Sequence, residues 1–145
     1  MIPTMKMAAL GAAPLDQEDR ICRLWPARIA IDRMRASRHS LEDWEALRDA
    51  INLLEALGRA TGLVRHWRQW HEEAEATFAS AYLRQHQTGS NVFTPTELDV
   101  LGHAVGELAR ALEVATMREL FTSDQHIARK RAQLQRGNAK GVKTL

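Results

Sequence analysis

From residue 94 the chain reads TPTELDVLGHAVGELARALEVA, and no other stretch constrains the fold as strongly. Thr94 is placed to cap a helix, Pro95 suits its first position, and Glu97 can return a carboxylate to the cap. Leu98, Leu101, Val105, Leu108, Leu112 and Ala115 then follow at steps of three and four. Such a stripe covers one face of an α-helix and must be buried against a neighbour. The pattern continues weakly through Leu120 and Phe121, and "TSD" at 122–124 predicts a break before a final basic segment.

Three more helices precede it. Asp16 opens the first, with Glu18 and Asp19 where carboxylates favour the helix dipole, and it runs to Arg38. Pro26 lacks a backbone donor and clashes with the preceding turn, so a kink or short break is expected near Trp25–Pro26. Ser40 caps the second helix with Asp43 at its third position, and Leu47, Ile51, Leu54 and Leu57 recur one turn beyond Trp44. Gly58 and Gly62 bracket the turn that ends it. The third helix carries Leu63, Trp67, Trp70, Ala74, Phe78 and Ala81, and "QTGSN" at 87–91 terminates it.

Strand signals are almost absent. The fold expected is all-α, a compact antiparallel four-helix bundle with a kinked first helix and a basic C-terminal extension. It divides into a loosely ordered leader (1–15), a helical bundle domain (16–122) and a basic C-terminal segment (123–145). A chain of 145 residues with a hydrophobic fraction of 45% can bury a core as one domain without disulfides or metal.

The lone Cys22 excludes an internal disulfide framework and fits a reducing compartment. No apolar run approaches the roughly 20 residues of a membrane-spanning helix, so a cytoplasmic protein is expected. The net charge of +2 conceals an asymmetry. All 18 acidic residues lie at or before Asp124, whereas the last twenty residues hold Arg129, Lys130, Arg131, Arg136, Lys140 and Lys143 and no acid. The chain is a mildly acidic body with a basic tail.

The stretch "HWRQWHEE" at 66–73 looks most like chemistry. Trp67 and Trp70 lie on the apolar stripe and read as core. His66 and His71 sit about 140° apart around a helix, too far to meet at one ion. A zinc-protease pattern would need a histidine at 75, where the chain has Glu75. His71 with Glu75 and His103 with Glu107 are both four apart and could furnish a site from facing helices. Di-metal bundles set their Glu three residues before His, however, and His103 and Glu107 lie off their stripe, facing water. No metal or other cofactor is therefore expected. Cys22 has no activating neighbour, and neither a Gly-rich phosphate loop nor a Ser/His/Asp pattern is present, so no catalytic residues are assigned and an enzyme is not expected.

Binding is the function left. Four tryptophans exceed what a small core needs, and large aromatics beside arginines dominate interface energetics. Trp25 at the proline and Trp44 in a first turn are expected to stay partly exposed. Trp25 with Arg28, Trp67 with Arg68, and Trp44 are the candidate contacts for a protein partner. Self-association as a homodimer stays open. The alternative is a nucleic acid bound by the tail through Arg129, Lys130, Arg131, Arg136, Lys140 and Lys143, although no aromatics interleave there for base stacking.

The run "LEDWEALRDAINLLEAL", its glycine-bounded turn and "TPTELDVLGHAV" resemble small helical proteins encoded by phages and other mobile elements of proteobacteria, over residues 20 to 120. The resemblance implies a phage accessory role, an inhibitor of a host defence system such as CRISPR being one form, and it supplies no site residues.

Overall fold

The computed structural model describes residues 11–62 and 66–139. These form five helices: α1 (Gln17–Arg35), α2 (Leu41–Thr61), α3 (Trp67–Thr88), α4 (Pro95–Val114) and α5 (Met117–Ala139). Among the described residues there is no strand, only an isolated bridge between Pro14 and Thr116. The fold is all-α, as the periodicity requires. No described helix is long and apolar enough to cross a membrane. Leu63, Lys140 and Lys143 lie outside the described residues.

Helix α2 touches all four of the others, and α4 touches α1, α2 and α3. Helices α1 and α3 each pack on both α2 and α4, while α5 lies along α2. Leu47, Leu54 and Leu57 of α2 meet Leu101, Leu108 and Leu112 of α4 in one core cluster, with Met34 from α1. The whole α4 stripe from Leu98 to Ala115 is buried, as its spacing predicts.

Five helices stand where four were expected, because the break falls earlier than "TSD". Ala115 is extended (φ −72°, ψ 148°), and Thr116 caps a new helix. The Thr116 N–H donates to Glu119 Oε1 at 2.8 Å and the Glu119 N–H to Thr116 Oγ1 at 3.2 Å. This reciprocal box repeats the one at Thr94 and Glu97. The boundary expected between residues 122 and 123 therefore lies inside α5. Ser123 is buried, Ile127 packs against the core, and Asp124 forms a bidentate pair with Arg23 of α1 at 2.6 and 2.8 Å. Residues of the expected leader are also engaged: Leu15 is buried and the Ala13 carbonyl accepts from the Met117 N–H at 3.0 Å.

Helix α1 runs through Pro26 without a break and ends at Arg35. Pro26 and Cys22 are both exposed, so water can serve the carbonyl that the proline leaves without its helical donor.

Gly58 is likewise not a turn residue. It lies within α2, which ends at Gly62 in the left-handed conformation (φ 61°). A β-carbon at Gly58 would come within 2.3 Å of the Trp67 ring, so the glycine is a notch that seats the first residue of α3 directly on α2.

In an ordinary helix interior, Gly→Ala gains up to about 1 kcal/mol. Gly58→Ala should instead destabilise the protein by about 1 to 3 kcal/mol, measured by urea unfolding, because the new methyl displaces Trp67. A variant as stable as the parent would mean that Trp67 is not seated there.

Candidate functional site

An open groove lies between the start of α2 and the end of α3. Trp44 meets Phe78 and Tyr82 while Gly58 meets Trp67, so the two helices run antiparallel and residues 41–48 face residues 78–85. At one end Gly58 lets the helices touch. At the other end Trp44 and Phe78 act as spacers, and a groove of about 580 Å³ opens beside them. Leu41, Trp44, Glu45 and Arg48 form one wall, and Phe78, Ala79, Tyr82 and Gln85 the other, with Asn91 closing the end.

Trp44 organises this region. Its ring meets Phe78 edge-on at 5.3 Å and Tyr82 at 6.4 Å, and lies 4.7 Å from Phe93, each measured between ring centres. Its Nε1–H donates to Asn91 Oδ1 at 2.9 Å, which satisfies the one polar atom of a buried indole. Trp44 is thus only 8% exposed, against the expectation of partial exposure. The rim carries the exposed apolar surface instead: Leu41 is 73% exposed and Tyr82 50%.

An ion pair fixes the α3–α4 loop that supplies Asn91 and Phe93. Arg84 of α3 donates to Glu97 at 2.7 and 3.1 Å and to the Val92 carbonyl at 2.9 Å. Glu97 also accepts from the Thr94 N–H at 2.8 Å while Thr94 Oγ1 accepts from the Glu97 N–H at 3.1 Å. Burial alone would raise the Glu97 carboxyl, but the bonds from Arg84 and Thr94 outweigh it and hold the group below its ordinary range. The same bond to Glu97 holds the Arg84 guanidinium above its own.

The expected contact residues fall in separate places. Trp25, 58% exposed, and Arg28 line a smaller groove of about 350 Å³ between α1 and α4, with Ile21, Ala109 and Glu113. Trp67 is buried against Gly58, and the Arg68 guanidinium lies 5.3 Å from its ring centre, so this pair offers no open aromatic face. Arg129, Lys130, Arg131 and Arg136 all lie on α5, which is exposed from Ala128 to Arg136, and Arg131 is paired with Asp49 of α2. Tyr82 and Leu41, which carry no tryptophan signal, supply the exposed apolar surface beside the buried Trp44.

The two His–Glu pairs do not meet. His103 is exposed, as expected, and stacks on Trp70 at 4.7 Å. Glu107 is buried rather than facing water, because α4 is covered by three helices, and it pairs with Arg110. His71 and Glu75 converge instead with Glu55 of α2, the one group among the described residues with metal-ligand spacing. No family model, curated protein or solved structure matches the chain.

Glu97→Ala should lower stability by about 1 to 3 kcal/mol at pH 7, since it removes a helix cap and a partly buried charged bond together. A depressed carboxylate contributes stability that is present above its unfolded value, about 4.3, and is lost as pH falls through the lower folded value. The gap between parent and variant should therefore close at the acid end of a series of urea titrations. A gap independent of pH would show that the carboxylate charge plays no part.

Proposed function

We propose that this chain is a non-catalytic helical module that binds a partner protein through the groove between α2 and α3. The observation that carries this reading is the open apolar groove itself, with Leu41 and Tyr82 exposed over a Trp44 held rigidly by Asn91, Phe78 and Phe93. A pre-ordered aromatic floor loses little entropy on binding, and rigid aromatic anchors of this kind dominate interface energies. Two antiparallel helices presenting residues at spacings of three and four suit a partner helix laid along the groove. Glu45 and Arg48 supply a polar rim that sets its register. The resemblance to phage and mobile-element proteins supports an accessory role, with a component of a host defence system as the partner.

Nucleic-acid binding by α5 is the second reading. It is favoured by a helix whose residues from Ala128 to Arg136 are exposed and include Arg129, Lys130, Arg131 and Arg136 without an acid.

The partner recovered from host cells and then purified should bind Tyr82→Glu at least about 30-fold more weakly than the parent, as expected for a hot-spot aromatic. Deletion of residues 132–145 keeps Ile127 and the Arg131–Asp49 pair, and should leave that affinity within about threefold. Undiminished binding by Tyr82→Glu would contradict the groove reading. Loss of binding on the deletion, with a flattened salt dependence, would favour the nucleic-acid one.

A further inference from the structure

Glu55, His71 and Glu75 form a cluster at the opposite end of the α2–α3 pair from the groove. His71 Nε2 lies 3.1 Å from Glu55 Oε2 and 3.4 Å from Glu75 Oε2, and one ligand atom from each residue lies within 4.8 Å of the other two. The His71 side chain is 8% exposed, that of Glu55 15% and that of Glu75 63%. Nε2 is fully buried and no atom around it satisfies hydrogen-bond geometry, although both carboxylates are close. A buried lone pair or N–H without a partner is costly. Two carboxylates converging on it also repel one another, and Arg59, 3.7 Å from Glu55, sits on a side chain 63% exposed.

We propose that Glu55, His71 and Glu75 bind a divalent transition-metal ion, of which zinc is the representative. Zinc takes imidazole nitrogen and carboxylate oxygen at about 2.0 to 2.2 Å, which puts neighbouring tetrahedral ligands about 3.4 Å apart. The two distances at Nε2 already have that value within a few tenths of an ångström. His71 and Glu75 are one helical turn apart on α3, and Glu55 reaches them from α2 because Trp67 is seated in the Gly58 notch. An ion here neutralises the paired carboxylates and gives Nε2 the partner it lacks. It also clamps α2 to α3 close to the Gly58–Trp67 contact. Three protein ligands leave one position of the tetrahedron for water, on the side of the exposed Glu75.

The full chain, stripped with EDTA and returned to metal-free buffer, is titrated with zinc chloride by calorimetry and with cobalt chloride by visible absorption. One zinc equivalent should bind with a Kd of about 10 µM or below. Glu75→Gln, at an exposed position that leaves the fold intact, should weaken it at least about tenfold, and so should His71→Gln. Zinc should raise the Tm of the parent and not that of His71→Gln, and cobalt should give the absorption of a low-symmetry site only with the parent. Absence of binding below about 1 mM would overturn the proposal and leave the cluster as a buried histidine packed between two carboxylates. Equal binding by parent and Glu75→Gln would overturn it too, since other histidines such as His66 would then hold the ion. Should His71→Gln fail to fold by circular dichroism, Glu75→Gln decides alone.

Discussion

Everything in this molecule leans on helix α2. Among the described helices it is the one that touches all four others, and its Leu47, Leu54 and Leu57 have no exposed surface at all. An amphipathic helix with one apolar stripe can serve one groove between neighbours. A helix buried on several sides must also be apolar or small between its stripe positions, and Ala50, Leu53, Ala56 and Gly58 meet that demand. Three acidic residues of α2 are committed to its neighbours. Asp43 pairs with Arg33 of α1 at 3.3 Å, Asp49 with Arg131 of α5, and Glu55 approaches His71 of α3 at 3.1 Å. Each is one anchor for a different neighbour.

The two candidate sites follow from how α3 is laid on this central helix. Where α2 lacks a side chain, at Gly58, Trp67 meets its backbone and brings His71 and Glu75 within reach of Glu55. Where α2 carries Trp44, the helices are spaced by aromatic rings and a groove opens. One glycine and one tryptophan, four turns apart on the same helix, thus set a closed polar end and an open apolar end. The Arg84–Glu97 pair then fixes the loop that lends Asn91 and Phe93 to the open end.

Local signals survived into the structure wherever the cause was local. The Thr94–Glu97 box, the stripe from Leu98 to Ala115 and the exposure of His103 and Trp25 all follow from residues within two turns. What depended on distant partners was not legible. Trp44 reads as a first-turn residue, and Phe78, Asn91 and Phe93, far along the chain, bury it. Glu107 lies off the main stripe yet is buried, because three helices rather than one cover α4. Glu55 carries no local signal, since His71 and Glu75, with which it converges, lie on another helix. The box at Thr116 and Glu119 was visible in type, but Leu120 and Phe121 kept the helical period alive across it and hid the break. Phe121, in the end, is exposed.

Amide hydrogen exchange tests the dependence on α2 most directly, since it resolves which helix opens only when the whole protein unfolds. The amides of residues 47–57 should be the most protected, with an opening free energy equal to that of global unfolding measured in urea. The amides of residues 129–136, which are exposed, should exchange faster by orders of magnitude. Exchange of α2 through a lower-energy opening that leaves α1, α3 and α4 protected would contradict the account, because those three helices could then hold together without it.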